Sequence, residues 1–156
     1  MAIEIERKFL VMRKPLNLAL YPSQRIEQGY VATEHNGNEV RLRKKGEQYY
    51  LTVKQGVAVA RSEYEVELSF DQFDVLWATT LNRRLVKTRF YIPYQRYTLE
   101  LDVYAYHLIG LHTVEVEFPT VAAFNNFEPP DWFGREITDD PNFKNRHLAV
   151  HGLPTI

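Results

Sequence analysis

Charged and apolar residues alternate along one stretch after another of this chain, and that repetition restricts the fold more than any single motif. In Ile3-Glu4-Ile5-Glu6-Arg7-Lys8-Phe9, a strand sends Glu4, Glu6 and Lys8 to one face and Ile3, Ile5 and Phe9 to the other. Two carboxylates and an ammonium on one surface suit a hard divalent cation held beside a bound anion. Taken alone, the run is equally a half-buried strand with its charges in water. The pattern recurs in Arg41 and Arg43, in Thr52 and Lys54, in Arg61, Glu63, Glu65 and Glu67, in Lys87 and Arg89, in Glu100 and Asp102, and in Glu115 and Glu117. These faces carry nine acids and seven bases, nearly all in i, i+2 sets.

Two arrangements accommodate such faces. In an ordinary small barrel the apolar faces meet in a dry interior and the charges lie outside. In an inverted barrel the charges line a wet tunnel, and helices cover the apolar exterior. Eight strands suffice to enclose a small ligand. Parity alone does not choose between them. The bulky residues opposite every charged face, and the use of arginine and carboxylate rather than mainly lysine, favour the inverted form.

The remaining signals place the elements. Strands are predicted from the opening run, then at 24–33, 39–43, 48–55, 61–68, 85–92, 97–105 and 111–118. Asn36-Gly37 marks a hairpin, with further turns at Lys45-Gly46-Glu47 and at Gly56. Ser69-Phe70-Asp71-Gln72 is a capping box, and Phe73, Leu76, Trp77 and Leu81 behind it fall at helical spacing. This predicts a helix over 70–81 laid on the sheet. A short helix is expected over 121–127, ended by Pro129-Pro130, and a C-terminal one from Asp140-Pro141 through Ala149. The expected class is a β-rich α+β fold, an eight-stranded antiparallel closed β-barrel with flanking helices, in one domain over 1–156.

At 156 residues, 45% of them hydrophobic and 25% charged, the chain can close one sizeable core. A net charge of −1 argues against a nucleic-acid sleeve or an anionic-membrane binder. Without cysteine there is neither a disulfide framework nor a thiolate metal site. No leader or transmembrane pattern is present, so the expectation is a cytoplasmic protein.

Glu4-Ile-Glu6-Arg-Lys8 resembles the ExExK signature of the CYTH family, the triphosphate tunnel metalloenzymes. The likeness continues through Arg41-Leu-Arg43, Lys54, Arg61-Ser-Glu63-Tyr-Glu65, Lys87-Thr-Arg89, Glu100-Leu-Asp102 and Glu115-Val-Glu117. The resemblance implies a triphosphate tunnel that needs Mg²⁺ or Mn²⁺ and acts on a small-molecule triphosphate. By it, Glu4, Glu6, Asp102, Glu115 and Glu117, with Glu63 and Glu65, would surround the metal. Lys8, Arg41, Arg43, Lys54, Arg61, Lys87 and Arg89 would hold phosphate oxygens. Glu4, Glu6 and Lys8 are the catalytic candidates, Lys8 either orienting water or simply binding phosphate. The physical case agrees, because a polyphosphate is densely anionic and arginine meets its oxygens bidentately. One departure is Phe143-Lys144-Asn145, where family members commonly place a tyrosine.

The expected reaction is hydrolysis of tripolyphosphate to diphosphate and phosphate. Thiamine triphosphatase, class IV adenylate cyclase and a non-catalytic polyphosphate-binding module are the alternatives. Barrel exteriors can pair, so a homodimer is open, while neither nucleic acid nor membrane is expected as a partner. His147 and His151 have metal-compatible i, i+4 spacing but no acidic third ligand nearby, and read as surface residues. His107 is assigned to a hairpin, His112 faces away from Glu115 and Glu117, and Trp132 is either a packed anchor or a stacking surface.

Overall fold

The computed structural model describes residues 2–56 and 60–155. Among them, nine strands run Ala2–Val11 (β1), Ser23–Thr33 (β2), Glu39–Lys45 (β3), Gln48–Gln55 (β4), Ala60–Leu68 (β5), Arg84–Tyr94 (β6), Tyr97–Tyr104 (β7), His112–Glu117 (β8) and Phe133–Glu136 (β9). Their order is β5-β4-β3-β2-β6-β7-β8-β1-β9, and a further β5–β1 pairing closes the first eight into an antiparallel barrel. The eight predicted strands are these eight. β9 was not predicted and adds to β1 outside the ring. Gly37, Gly46 and Gly56 have the positive φ the turns demand, at 92°, 60° and 90°, while the residues that follow Gly56 lie outside the described ones. Among the described residues, no helix is long and apolar enough to cross a membrane.

The barrel is inverted. Lys8, Arg41, Arg43, Lys54, Lys87, Arg89, Asp102 and Glu115 are buried, and all lie on the strand faces whose alternate positions point outward. On that outer side, Ile5, Phe9, Leu99, Leu101, Val114 and Val116 form one apolar cluster. It is covered by the helix Val121–Asn126 (α2 in chain order) and by Phe127 and Phe133. Trp132 belongs to this outer layer, its ring edge-on to Phe133 at 4.7 Å, so it is a packed anchor.

The helix over 70–81 is shorter than predicted: α1 spans Phe70–Trp77 with its capping box formed, and Ala78–Thr80 tightens to a 3-10 turn. Three residues per turn rotate the face, so Thr80 is buried against β2 and Leu81 is exposed. Gly29 permits that approach, since a Cβ there would stand 2.7 Å from the Thr80 side chain.

A second cluster seals one end of the tunnel. Tyr30, Leu85, Tyr104 and Leu111, at inward positions, meet Ile137, Phe143, Leu148 and Ala149 from the C-terminal segment. The expected continuous helix through Ala149 is broken: Pro141–Phe143 is a 3-10 turn capped by Asp140, Lys144 is extended, and α3 spans Asn145–His151. The break lets both Phe143 and Leu148 reach the barrel end. His107 lies in a 3-10 turn, Tyr106–Leu108, rather than a hairpin tip.

Candidate active site

Strand register, not sequence proximity, assembles the charged interior. Glu6 lies opposite Glu117 and Lys8 opposite Glu115 across β1 and β8, and Glu100 lies opposite Glu115 across β7 and β8. Arg89 faces Asp102. Lys54 is flanked by Glu39 and Glu63, and Arg41 and Arg43 lie opposite Tyr30 and Gln28.

Bases gather midway along the tunnel. Arg43 donates to Gln28 Oε1 at 3.2 and 3.0 Å. Burial, reinforced by the Arg41 and Arg89 charges, lowers its pKa to about 10. Among the described residues the buried Nε of Arg41 has no hydrogen-bond partner, an orphan donor of the kind that ordinarily implies a ligand or water. Arg89 grips Asp102 with two bonds of 2.8 and 2.9 Å and Glu100 with one of 2.9 Å. The Lys87 ammonium is 2.8 Å from Asp102 but off the hydrogen-bonding direction, so the contact is ionic. Burial outweighs that partner and lowers the Lys87 pKa to about 7.

Acids gather towards the open mouth. Burial would raise the Glu4 carboxyl, but a hydrogen bond with Glu63 and the Lys54 ammonium, 2.9 Å away, hold it well below the carboxylate range. Its partner Glu63 is pushed up to about 7, first by that shared bond and then by burial. Burial and the neighbouring Glu115 charge push Glu6 up, and burial with Glu4 and Glu100 does the same to Glu117. Glu115 is held low despite its burial by Lys8, Arg89 and Lys87.

Among the described residues no three His, Asp or Glu side chains converge on a common point able to hold a metal ion. The donor chemistry nevertheless fits a hard divalent cation. Glu4, Glu6, Glu63 and Glu117 are all-oxygen donors with more mutual repulsion than Lys54 relieves, and a cation removes that repulsion.

The comparison with known proteins agrees with this geometry. A model of the CYTH domain matches residues 2–138. The chain belongs to the CYTH domain family. An inorganic triphosphatase of Nitrosomonas europaea is 43% identical over 150 residues, covering 94% of this chain and 97% of the relative. An inorganic triphosphatase of Acetivibrio thermocellus is 31% identical over 151 residues, covering 96% and 94%. A solved crystal structure of an inorganic triphosphatase superposes with a TM-score of 0.71 at 41% identity, covering 96% of each chain.

Against the CYTH expectations, Lys8, Arg41, Arg43, Lys54, Lys87 and Arg89 are all buried in the interior, while Glu4, Glu6, Glu115 and Glu117 sit at inward positions of β1 and β8 without converging on one point among the described residues. Three expected residues are engaged elsewhere. Arg61 donates to the Gly56 and Gly37 carbonyls at 2.9 and 2.8 Å and to Glu39 at 3.3 Å, tying two hairpins at the closed end. Glu65 is exposed, and it accepts from Thr52 at 2.9 Å. Both oxygens of Asp102 are held by Arg89 and Lys87. The His147 and His151 rings lie 4.3 Å apart, tilted by 35°, and no third metal-binding side chain joins them among the described residues. The buried Gln28, Tyr30 and Thr113 also line this interior. They were missed because only charged residues were counted, although the inward parity of Gln28 and Tyr30 on β2 was legible.

Proposed function

We propose that this protein is a metal-dependent triphosphatase that hydrolyses tripolyphosphate to diphosphate and phosphate. The observation that carries the proposal is the mid-tunnel cluster of Arg41, Arg43, Lys87 and Arg89, where Arg41 keeps a buried donor unpaired among the described residues and Arg43 is depressed by burial and by its cationic neighbours. Such a field is relieved by a polyanion with little bulk. The relatives named inorganic triphosphatase support the same substrate.

In this reading the bases extend the phosphate chain between Arg41, Arg43 and Lys54 on one wall and Lys87 and Arg89 on the other. Asp102 orients Arg89 and Lys87, and Arg61 holds the closed end. Glu4, Glu6, Glu115 and Glu117 would hold a divalent cation, Mg²⁺ or Mn²⁺, with Glu63 supporting Glu4. When bound, that cation neutralises charge developing on the phosphate oxygens. Glu4 and Glu6 orient the attacking water, whose oxygen bonds to the terminal phosphorus as the bridging oxygen leaves with diphosphate. Lys8 meets the terminal phosphate beside that water. The whole chain forms one domain, because the segment after residue 138 supplies the seal of the tunnel.

The test is phosphate release from tripolyphosphate, ATP, thiamine triphosphate and diphosphate, each with Mg²⁺, Mn²⁺ or chelator, with Glu4→Gln as control. Preferential metal-dependent cleavage of tripolyphosphate, abolished in the control, is expected. Preference for thiamine triphosphate, cyclic AMP formed from ATP, or binding without hydrolysis would each replace the proposal.

A further inference from the structure

We infer that Thr138 is a positioning residue for Lys8, and that Arg7, the charged outward member of the ExExK run, fixes it there through Glu136. The inference rests on the proposed contact between Lys8 and the phosphate chain.

β1 is the seam of the barrel. β5 pairs with it only as far as Ile5, and β9 joins it only from Phe9. Lys8 falls in the gap, where its backbone groups need partners other than a neighbouring strand. The carbonyl accepts from the Ile137 amide at 2.8 Å, a contact any residue at 137 except proline could supply. The amide instead donates to a side chain, Thr138 Oγ1, at 3.0 Å. That bond depends on the residue type.

The hydroxyl cannot rotate freely. Of the two acceptors its own proton can reach, Glu136 Oε2 at 2.6 Å is far closer than the Lys8 carbonyl at 3.4 Å, and Glu136 is gripped by Arg7 through bonds of 2.9 and 2.7 Å. Arg7 in turn donates to the carbonyls of Phe124 and Phe127, each at 3.1 Å, and its guanidinium lies over the Phe9 ring at 5.1 Å. Inside the tunnel, the Lys8 ammonium donates to the Phe143 carbonyl at 2.8 Å, and Lys144 donates to the Thr138 carbonyl at 2.7 Å. The motif therefore acts on both faces: Glu4, Glu6 and Lys8 inward, Arg7 outward on the segment that holds Lys8 in register. A cavity of about 630 Å³ beside Arg7, Glu136 and Thr138 admits water. Water can thus replace a lost hydroxyl in satisfying the Lys8 amide, but it cannot fix its place.

The experiment compares wild type, Thr138→Val, Thr138→Ser, Lys8→Ala and the Lys8→Ala/Thr138→Val double variant. It measures kcat/KM with Mg²⁺ and, by calorimetry in chelator, affinity for tripolyphosphate. Thr138→Val is expected to lose about 10- to 100-fold in kcat/KM, the scale of a misplaced group, and Thr138→Ser to recover it. Adding Thr138→Val to Lys8→Ala is expected to weaken binding no further. Wild-type behaviour of Thr138→Val, a loss that serine does not restore, or additive losses in the double variant would overturn the inference. Hydrogen exchange of the Lys8 amide in the wild type needs no variant to fold: slow exchange is expected, and exchange at the rate of an exposed amide would overturn it. A wild type that neither binds nor cleaves tripolyphosphate sinks the functional reading and this role with it, even if the Lys8 amide is protected.

Discussion

Replacing Asp102 by asparagine removes the negative charge that lies within 3 Å of both Arg89 and Lys87 at the fully buried centre of the tunnel. Breaking a buried ion pair from one side costs about 3–5 kcal/mol. The lower end applies here, because Arg89 keeps Glu100 at 2.9 Å and the asparagine carbonyl still accepts one guanidinium N–H. At about 2–4 °C per kcal/mol for a chain of this size, a loss of about 3 kcal/mol lowers Tm by about 6–12 °C. The loss also depends on pH. Lys87 has a folded pKa of about 7 against an ordinary 10.5, so its ionisation penalises the fold fully below 7. Stability therefore rises between those values as the unfolded chain alone stays protonated. Without Asp102 the folded value drops further, which deepens the penalty at pH 6 by at most about 1.4 kcal/mol in all, because folded Lys87 is neutral there once its value lies well below 6. At pH 9 Lys87 is neutral in both proteins, so the deficit is smaller. Thermal unfolding in chelator at pH 6 and pH 9, with and without tripolyphosphate, measures each part. The polyanion is expected to shrink the deficit by supplying the missing negative charge. An unchanged Tm, or a deficit indifferent to both pH and tripolyphosphate, would refute this account of the cation cluster.

Arg43→Met is expected to weaken tripolyphosphate binding at least about 10-fold, the value of a lost charged hydrogen bond. The empty protein's Tm should stay within a few degrees, because relief of the Arg41 and Arg89 repulsion offsets the bonds to Gln28; calorimetry and thermal unfolding check both halves. Glu63→Gln mimics the protonated partner of Glu4. Since the folded pKa of Glu63 is about 7 against 4.5, its stabilising proton is bound in the fold below 7 and lost above, so the variant should raise the metal-free Tm at pH 8 and not at pH 5. Gly29→Ala would put a Cβ 2.7 Å from Thr80, and overpacking there is expected to cost about 1–3 kcal/mol in denaturant unfolding.

How much of the site was legible depends on how each contact is specified. A two-residue turn fixes every pair behind it, so counting back from Gln95-Arg96 already puts Arg89 opposite Asp102, and counting back from Gly46-Glu47 puts Lys54 opposite Glu39. The Arg89–Asp102 ion pair and the Lys54–Glu39 adjacency were readable from the sequence, although Lys54 pairs with Glu4 instead. No such count reaches across the seams. Lys8 meets Glu115, and Glu6 meets Glu117, through strands more than a hundred residues apart, and only closure of the ring sets that register. Arg61 shows the same limit within one strand: its parity is inward as read, but its guanidinium goes to the carbonyls of Gly37 and Gly56, groups that carry no side-chain signal. β9 is the extreme case, because Phe133–Glu136 is too short to show a period and exists as a strand only where β1 loses β5. The same gap that hid β9 from the sequence is what leaves the Lys8 amide to a threonine side chain, so the least legible part of the fold and the most sequence-dependent support of the candidate site have one cause.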